Sequence, residues 1–563
     1  MLWKTWKNKF NVNKRVITIQ GFSKDCDITD EFANFFKTSF ASNSVEKDKE
    51  IDNAFYLKFE KYKQDYNMSK ESFVNQFHVD TVMIEDIIQK LKHGKAYGAD
   101  ELMAEHLQFA HPIVCVVLNK LFNLMLSAKY VPDAFGVGII IPIPKNSNAC
   151  GSHKIEDFRR ITISSVVSKV FEHCVLLMIE DYLYSSSHQF GFKKGRGCRD
   201  AIFALNETVD YFVSGVSTVN LCTIDVTKAF DRLNHNMLFI KFMQRKIPIF
   251  FIYILMDWYR KCVCQIKWQN LVSRVISVNR GVRQGGILSP FLFAVYVDDA
   301  LQKLIDTGYG CNYYGFNIGA LMYADDLVLI CASVVNLQKL IMLTEKLFDE
   351  LNLKINISKC AAMRIGSRCN VMCTNLELSN GTINWSHEIK YLGLTFQQAS
   401  YLKINVHSCK VKFFQSFNSI YAKIGTTNNP DTIVQLMKSN CLSVLLYNLE
   451  ALQLTRTNIN NLKFPLHRAI MKIFHVKDTQ SVLWCQYYMH VLPVESTLDL
   501  RKRKFYFKLS KSYCPLLQFL YSKSASIHLS LLNQKYGVDV NNSCSNGAFF
   551  DIVWEKFLDD LPT

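Results

Sequence analysis

Glycine and proline are scarce in this chain, at 23 and 11 of 563 residues. That scarcity excludes a collagen-like or low-complexity chain. Long apolar runs are also missing, because Ile247–Leu255 and Gly286–Val297 fall short of the ~20 residues that a membrane-spanning helix needs. The start, Met1–Lys7, has no apolar core of a secretion signal. We therefore expect a folded protein of the nucleus or cytoplasm, neither secreted nor membrane-bound.

Cysteine is plentiful, at 18 residues, but its spacing does not suggest disulfide staples. The cysteines lie inside apolar runs such as Leu327–Cys331, which predicts small buried hydrophobic side chains in a reducing compartment. The pair Cys369 and Cys373 has no nearby partners at zinc-finger spacing. We expect no zinc site from these residues.

Acidic residues are outnumbered by basic ones, 49 to 65, which gives a net charge of +16. Apolar residues make up 49% of the chain, enough for a large folded core. A positive surplus favours a polyphosphate partner, because each Lys or Arg that neutralises a phosphate releases counterions. Nucleic acid is therefore the favoured partner. The alternative is a basic protein whose charges are simply solvated.

Four segments follow one another along the chain. Residues 1–80 are polar and predict a mostly helical N-terminal extension, and residues 81–124 predict a helical lead-in to the next segment. There Ile84, Ile87, Ile88 and Leu91 recur at helical spacing. Strands and helices alternate over residues 125–396, and residues 397–563 read as mostly helical. This pattern predicts the α+β class.

Two adjacent acids, Asp325 and Asp326, lie between the apolar runs Ala320–Tyr323 and Leu327–Ile330. Two strands joined by a tight turn explain this pattern. Neighbouring carboxylates repel each other, and burying them is unfavourable unless a cation compensates. Oxygen ligands on a rigid turn suit magnesium. An ordinary polar hairpin turn, in which Asp is common, is the alternative.

A third acid, Asp225, follows the buried strand predicted at Leu221–Ile224, and an amphipathic helix is predicted through Leu233 and Phe242. A carboxylate at a strand end and a carboxylate pair on a hairpin can hold two divalent cations ~3.5–4 Å apart. Such a centre would activate a primer hydroxyl and neutralise a triphosphate. Asp231 lies six residues past Asp225 and would point elsewhere on a helix, so we predict a helix cap or an ion pair for it.

Asp225 with Phe230, and then Tyr323–Asp326, resemble the palm of reverse transcriptases. Residues 90–396 are similar to retrotransposons that lack long terminal repeats (non-LTR, LINE-like). The resemblance implies a right-hand polymerase with fingers, palm and thumb that acts as an RNA-directed DNA polymerase. Fingers and palm would occupy residues 125–396, and the thumb would lie within residues 397–563. The resemblance also implies two magnesium ions, or manganese in their place. Their ligands would be Asp225, Asp325 and Asp326, the catalytic triad, with the backbone carbonyl of Val226.

The same resemblance assigns five residues to the incoming deoxynucleoside triphosphate: Lys145, Arg159, Phe230, Gln284 and Lys359. Lys145 and Arg159 would be cations of the fingers, and Lys359 a general acid near the leaving pyrophosphate. Phe230 would lie beneath the sugar and exclude a 2′-hydroxyl, with plain core packing as the alternative. The sequence departs from the family at Arg160 and Ala99, where proline is usual, and at Asn352, where glycine is frequent.

Further residues are implied for the RNA template and the DNA primer or target. The segment Gln189–Gly197 resembles the template-strand segment, with an exposed basic turn as its alternative. The glycine-rich loop Asn279–Pro290 would contact nucleotide and template, and the hairpin Ile389–Leu394 would grip the primer. The residues implied for template and primer are Lys193, Arg196, Arg283, Gly285, Tyr323, Leu392 and Gly393.

Three functions stay open on the sequence. The first is a working reverse transcriptase, and the second is a non-catalytic, retrotransposon-derived remnant that binds RNA. The third is an RNA-dependent RNA polymerase, which a bulky Phe230 disfavours. Intron maturases and telomerase-like enzymes share this palm, but Lys95–His106 and Gln189–Arg196 favour the element. Because residues 1–80 are too few for an endonuclease, we expect a polymerase portion without one.

Overall fold

The computed structural model describes residues 18–40, 44–68, 77–145, 152–424, 429–538 and 545–561. Helices and strands are mixed throughout these residues, which confirms the predicted α+β class. The chain forms two compact units, each made of several sequence segments. The first unit comprises residues 1–185, 226–299 and 347–354, and the second comprises residues 186–225, 300–346 and 355–563.

The first unit contains a mixed sheet. Val137–Pro144 pairs antiparallel with Phe158–Ser164 on one side and parallel with Val263–Trp268 on the other. Leu271–Val272 and Ile276–Ser277 each pair with Val263–Trp268, and the short strands Thr18–Ile19 and Ser152–His153 pair with each other. The helices of this unit are Asp25–Ser39, Val45–Met68, Thr81–Gln89, Ala104–Gln108, Ile113–Ala128, Asp133–Gly136, Val166–Ile179, Ala229–Arg232, His235–Gln244 and Ile249–Arg260, with 3-10 turns at Ile155–Asp157 and Glu180–Tyr182.

The described part of the N-terminal extension is mostly helical, as predicted, with the short strand Thr18–Ile19 before its first helix. Helix Asp25–Ser39 buries Ile28, Phe32 and Phe36, which recur every four residues and so share one face. Phe32 lies against the rings of Phe158 and Trp268, at centroid distances of 5.2 and 5.3 Å. The extension therefore packs on the sheet of the first unit.

The single helix predicted after Asp225 is wrong, because the structure has two helices there. Helix Ala229–Arg232 ends at Leu233, whose ψ of 125° is extended. Asn234 then begins a second helix, His235–Gln244, and its side chain accepts a hydrogen bond from the Met237 N–H. Asn is a favoured N-cap residue because its side chain satisfies an amide that the first helical turn leaves free. The predicted single helix through Leu233 is thus two helices.

The second unit contains an antiparallel sheet. Its order is Ala320–Tyr323, Asp326–Cys331, Thr218–Ile224 and Ala361–Gly366. The predicted hairpin and the predicted buried strand are both confirmed, and they are neighbours. Helix Cys198–Ser214 packs on this sheet through Ala201, Leu205 and Val209, which lie in one core with strand residues such as Leu221 and Val328.

The remainder of the second unit is mostly helical after Gln397, as predicted. Its other strands are Cys311–Tyr313, Phe316–Ile318, Leu376–Leu378, Gly381–Ile383, Glu388–Tyr391, Leu394–Gln397 and Lys403–Ile404. Its other helices are Val406–Ile424, Pro430–Leu436, Leu442–Leu445, Arg456–Phe474, Thr479–Tyr488, Val494–Ser510, Pro515–Leu520, Ser526–Lys535 and Asn546–Asp559; π turns lie at Met437–Cys441 and Tyr521–Ala525, and 3-10 turns at Ile357–Lys359 and Leu449–Ala451. Helices Ser289–Asp306 and Val334–Glu350 have residues in both units. No helix in the described ranges has the length and apolar character needed to cross a membrane.

Candidate active site

The two neighbouring acids lie on a tight hairpin turn, Tyr323–Asp326, which we call the catalytic turn. Tyr323 pairs with Asp326, so Ala324 and Asp325 form a two-residue loop. Ala324 has a φ of +58°, in the left-handed region that such loops require and that alanine disfavours. The loop holds Asp325 and Asp326 at the end of the hairpin.

The third acid lies at the neighbouring strand end. Leu327 is the register partner of Ile224, so Asp326 and Asp225 come at the same edge of the sheet. The backbone of Asp225 is fixed there, because its carbonyl accepts a hydrogen bond from the Asn356 N–H at 2.8 Å. The predicted convergence of a strand-end acid and a hairpin pair is present in the second unit.

Electrostatic coupling shows that these acids are close. Burial, followed by the charges of Asp325 and Asp225, raises the pKa of Asp326 to about 6. Lys359 opposes this rise, and its Nζ lies 3.4 Å from Oδ2 of Asp225. Like charges held this close favour the binding of a cation.

The carboxylates of the three acids are chemically suited to a hard divalent cation, although the side chains do not form a complete metal-binding site. Carboxylate oxygens are the ligands that magnesium prefers. In the described ranges no three or more His, Cys, Asp or Glu side chains are grouped so that they could hold a metal ion. The acids Asp225, Asp325 and Asp326 would therefore have to draw together around a cation.

The hairpin predicted to grip the primer is formed by strands Glu388–Tyr391 and Leu394–Gln397. Its turn residues Leu392 and Gly393 both have positive φ, at 44° and 85°. A Cβ on Gly393 would lie 3.0 Å from Cε1 of Tyr447, and the Gly393 carbonyl accepts from Nζ of Lys412 at 3.3 Å. Glycine is thus required at this turn by both conformation and space.

Tyr391 of this hairpin lies near the catalytic turn. Its side chain is buried, and its hydroxyl has no hydrogen-bond partner within the described structure. Burial raises its pKa well above the usual value, and the charge of Asp326 contributes to that rise. The hairpin and the acids therefore belong to one neighbourhood of the second unit.

The segment predicted to follow the template strand lies beside the catalytic hairpin. Gln189 bridges to Met322 in parallel register. Lys193 donates to the Ser186 carbonyl at 2.6 Å, and Arg196 donates to the carbonyls of Ser187 and Gln189 at 3.3 and 3.2 Å. These contacts stabilise the turn internally, and the role of Lys193 and Arg196 toward the template stays a prediction.

Phe230 lies in the first unit against the glycine-rich loop. Its ring is partly buried and stacks on Phe293, with the centroids 4.6 Å apart and the planes 20° apart. Its carbonyl accepts from the Val282 N–H at 2.8 Å. A Cβ on Gly281 would lie 2.7 Å from that carbonyl oxygen, so glycine permits the close approach of the loop.

Gln284 is anchored through both its side chain and its backbone. Its Nε2 donates to Oδ1 of Asp231 at 3.4 Å, and its carbonyl accepts from the Thr162 N–H at 2.8 Å. A Cβ on Gly285 would lie 2.7 Å from the Thr162 carbonyl oxygen. Arg283 is held by the Gly136 carbonyl at 2.8 Å and by the Cys262 thiol at 3.2 Å. Contacts of Arg283 and Gly285 with the template stay predictions.

The two predicted finger cations lie at one end of an antiparallel strand pair. Arg159 is exposed and pairs in register with Ile143, while Lys145 comes just after the end of that strand. The Lys145 ammonium donates to the Glu156 carbonyl at 2.6 Å. The two residues are thus near each other in the strand pair, and their binding of phosphate stays a prediction.

Lys228 is a further cation of the first unit that was not predicted from the sequence as a site residue. Its Nζ donates to Oγ of Ser39 at 2.7 Å and lies 4.2 Å from the centroid of Phe35. Burial, followed by the charges of Arg160 and Arg232, lowers its pKa to about 8. A polyanion would relieve this repulsion. The position of Lys228 between Asp225 and Phe230 was the signal available in the sequence.

Arg160, where the family usually has proline, forms a buried ion pair with Asp231. The prediction of a cap or an ion pair for Asp231 is confirmed. The guanidinium also lies over the rings of Phe36 and Phe40, at 4.9 and 5.1 Å from their centroids. Position 160 lies within the intact strand Phe158–Ser164. The departure from the family thus has a structural counterpart in Asp231.

We predict that Arg160→Met lowers the free energy of unfolding of the first unit by about 3–5 kcal/mol, because it leaves the Asp231 carboxylate buried without its partner. Adding Asp231→Asn should recover much of this loss, since the uncompensated charge is then gone. Urea unfolding followed by circular dichroism measures both variants. Equal midpoints for the single and double variants would contradict the prediction.

Comparison with known proteins places this geometry in context. A family model described as "Reverse transcriptase (RNA-dependent DNA polymerase)" matches residues 143–396. The chain is 25% identical over 297 residues to the retrovirus-related Pol polyprotein from the type-2 retrotransposable element R2DM of Drosophila melanogaster, which covers 51% of this chain and 28% of that protein. It is 22% identical over 435 residues to the RNA-directed DNA polymerase from mobile element jockey of Drosophila funebris, which covers 74% of this chain and 45% of that protein.

The chain therefore spans less than half the length of these two relatives. Among solved structures, apo telomerase from Candida tropicalis is 13% identical, with 75% of this chain and 74% of that chain covered. Its TM-score of 0.36 is too low to support conclusions about this chain.

Proposed function

We propose that this chain, whose residues 143–396 are a reverse transcriptase domain of the non-LTR retrotransposon kind, extends a DNA primer on an RNA template. The observation that carries the proposal is the placement of three carboxylates in the second unit. Asp225 ends one strand, and Asp325 and Asp326 lie on the hairpin paired with it. Nucleotidyl transfer needs such a cluster, because most of its catalysis is positioning and charge compensation.

Two divalent cations, magnesium or manganese, are the cofactors that we propose for these acids. When they are bound, the primer 3′-hydroxyl is acidified and the triphosphate charge is neutralised. Asp225, Asp325 and Asp326 would hold them, with the carbonyl of Val226 as a further ligand. Lys359, whose Nζ lies 3.4 Å from Oδ2 of Asp225, is the residue that we propose gives a proton to the leaving pyrophosphate.

The first unit supplies groups suited to a deoxynucleoside triphosphate. Lys145 and Arg159 lie at one end of a strand pair, and Lys228 lies among further positive charges. We propose that these three cations bind the phosphates, and that Phe230 and Gln284 contact the sugar and the base. An enzyme of this kind would work inside the cell, where it meets chromosomal DNA and RNA templates.

Primer extension on an RNA template, with deoxynucleotides and magnesium, tests the proposal. We expect template-dependent DNA synthesis by the full chain and its loss in Asp325→Asn, which keeps the shape of the side chain but removes its charge. Equal signals from the two proteins would reject an enzymatic role. If RNA were bound with no synthesis by either protein, the chain would be a retrotransposon-derived RNA-binding remnant instead.

A further inference from the structure

The catalytic turn has an unusual partner in the side chain of Gln189. This side chain is 1% exposed, and its Oε1 accepts a hydrogen bond from the Ala324 N–H at 3.1 Å. Its Nε2 lies 3.4 Å from the Ala324 carbonyl oxygen, to which it donates. One amide group therefore pairs with both backbone polar groups of the first loop residue of the turn.

The backbone around Gln189 is fixed against the same hairpin. Phe190 N–H donates to the Met322 carbonyl at 2.8 Å, and Met322 N–H donates to the His188 carbonyl at 2.9 Å. The next residue, Gly191, lies so close to the turn that a Cβ there would come 2.4 Å from the Ala324 nitrogen. Oε1 of Gln189 also accepts from the Gly191 N–H at 2.9 Å. The segment thus forms an additional edge beside Ala320–Tyr323.

The contact with Gln189 stabilises Ala324 in an unfavourable backbone conformation. A left-handed conformation costs an alanine on the order of 1–2 kcal/mol, and a buried backbone N–H or carbonyl without a partner costs more. Ala324 is 6% exposed with a φ of +58°. Strained residues persist at active sites only where their surroundings hold them. Gln189 supplies that support within hydrogen-bonding distance of the residue that precedes Asp325.

We propose that Gln189 is a positioning residue for catalysis: its amide holds the catalytic turn in the conformation that presents Asp325 and Asp326 to the metal ions. The inference rests on the proposed polymerase function. It gives the segment Gln189–Gly191, which resembles a template-strand segment, a second role toward the catalytic acids. Its amide contacts backbone groups of the turn and of Gly191, so its proposed effect on catalysis acts through the neighbouring acids.

Gln189→Met tests the inference, because methionine keeps the volume of the side chain and loses both hydrogen bonds with the catalytic turn as well as the one from the Gly191 N–H. We expect kcat to fall on the order of ten- to hundredfold, since a small misplacement of catalytic groups costs this much. KM for the deoxynucleotide should change little, because the cations proposed to bind its phosphates, and Phe230 and Gln284, belong to the other unit. Lys359 lies in the same unit as Gln189, but its proposed role is toward the leaving pyrophosphate. The magnesium concentration for half-maximal rate should rise.

Gln486→Met is the matched control. Gln486 is also fully buried in the second unit and donates to the Val491 carbonyl at 3.3 Å. The Gln486→Met variant removes a buried glutamine away from the catalytic turn, so the kcat and the magnesium dependence of this variant should match those of the wild type. Melting temperatures of both variants measure any general loss of stability. A Gln486→Met variant with the same kinetic defect would reduce Gln189 to a structural residue.

Gln189→Glu provides a second readout that survives if the methionine variant does not fold. The carboxylate keeps the acceptor but repels the Ala324 carbonyl, while its protonated form can donate a hydrogen bond as the amide does. Burial raises the pKa of such a carboxyl, so protonation becomes accessible on mild acidification. The rate of this variant relative to wild type at the same pH should therefore rise as the pH falls from 8 to about 6.

Failure of this inference is distinguishable from failure of the proposed function. If the wild type does not extend a primer, the proposed function is rejected, and the positioning role, which rests on that function, is rejected with it. If the wild type is active, full activity of Gln189→Met, together with a pH-independent ratio for Gln189→Glu, overturns the positioning role.

Discussion

Asp225→Asn should lower the rate of nucleotide incorporation by on the order of a thousandfold or more, since it removes a charged ligand proposed to bind both cations. The amide keeps the shape of the side chain, so the hydrogen bond between the Asp225 carbonyl and the Asn356 N–H should persist. Single-turnover primer extension at saturating deoxynucleotide measures the rate. Binding of primer–template should change little, because phosphate contacts dominate its affinity.

Asp210→Asn is the matched control for this substitution. Burial and the charge of Glu207 raise the pKa of Asp210 to about 6, as for Asp326, but none of the catalytic acids contributes to that rise. The same change from carboxylate to amide should therefore leave incorporation near the wild-type rate. A tenfold or smaller effect of Asp225→Asn would be inconsistent with a metal-binding role for that residue.

Phe230→Ala should lower the preference for deoxynucleotides over ribonucleotides by about a hundredfold, because removing the ring leaves room for a 2′-hydroxyl. The ring is only partly buried and rests on Phe293, so one side of it is supported by packing. The ratio of kcat/KM for a deoxynucleotide to that for the matching ribonucleotide is the measured quantity. The same ratio for the wild type also tests the RNA polymerase alternative: an RNA polymerase would give a ratio of one or less.

Phe293→Leu separates this role from plain core packing. Phe293 is fully buried, so its truncation should destabilise the protein while the ring of Phe230 stays in place to exclude the hydroxyl. We expect a lower melting temperature with a largely retained nucleotide preference. If Phe230→Ala lowered only the melting temperature and left the preference unchanged, Phe230 would be a core residue.

Much of the catalytic region follows from local sequence. The continuous apolar runs on both sides of Asp325 and Asp326 predict a hairpin of two buried strands joined by a tight turn. The strand before Asp225 is predicted for the same reason, and the structure pairs it with that hairpin. The hairpin at Leu392 and Gly393 was implied only by the family resemblance, and the positive φ angles of both turn residues are known from the structure.

Contacts between residues far apart in the chain could not be predicted from the sequence and are known only from the tertiary structure. Asp231 and Arg160 are 71 residues apart in the numbering of the chain, and no local pattern shows that they form an ion pair. The first helix ends at Leu233 and Asn234 caps the next one, although hydrophobic spacing alone predicts one helix through Leu233 and Phe242. Periodicity reports which face of an element is buried, whereas a cap or an ion pair depends on a single polar contact.

The sequence by itself determined the α+β class, the catalytic hairpin and the identity of its acids, because these depend on short-range apolar patterns and on residue chemistry. Tertiary structure decided which distant side chains hold the site residues of each unit: Gln189 contacts the catalytic turn in the second unit, and Asp231 accepts a hydrogen bond from Gln284 in the first. Such contacts arise when the folded chain brings separate segments to hydrogen-bonding distance. A glutamine amide can donate to or accept from many groups, so the sequence alone does not show which partner it will have.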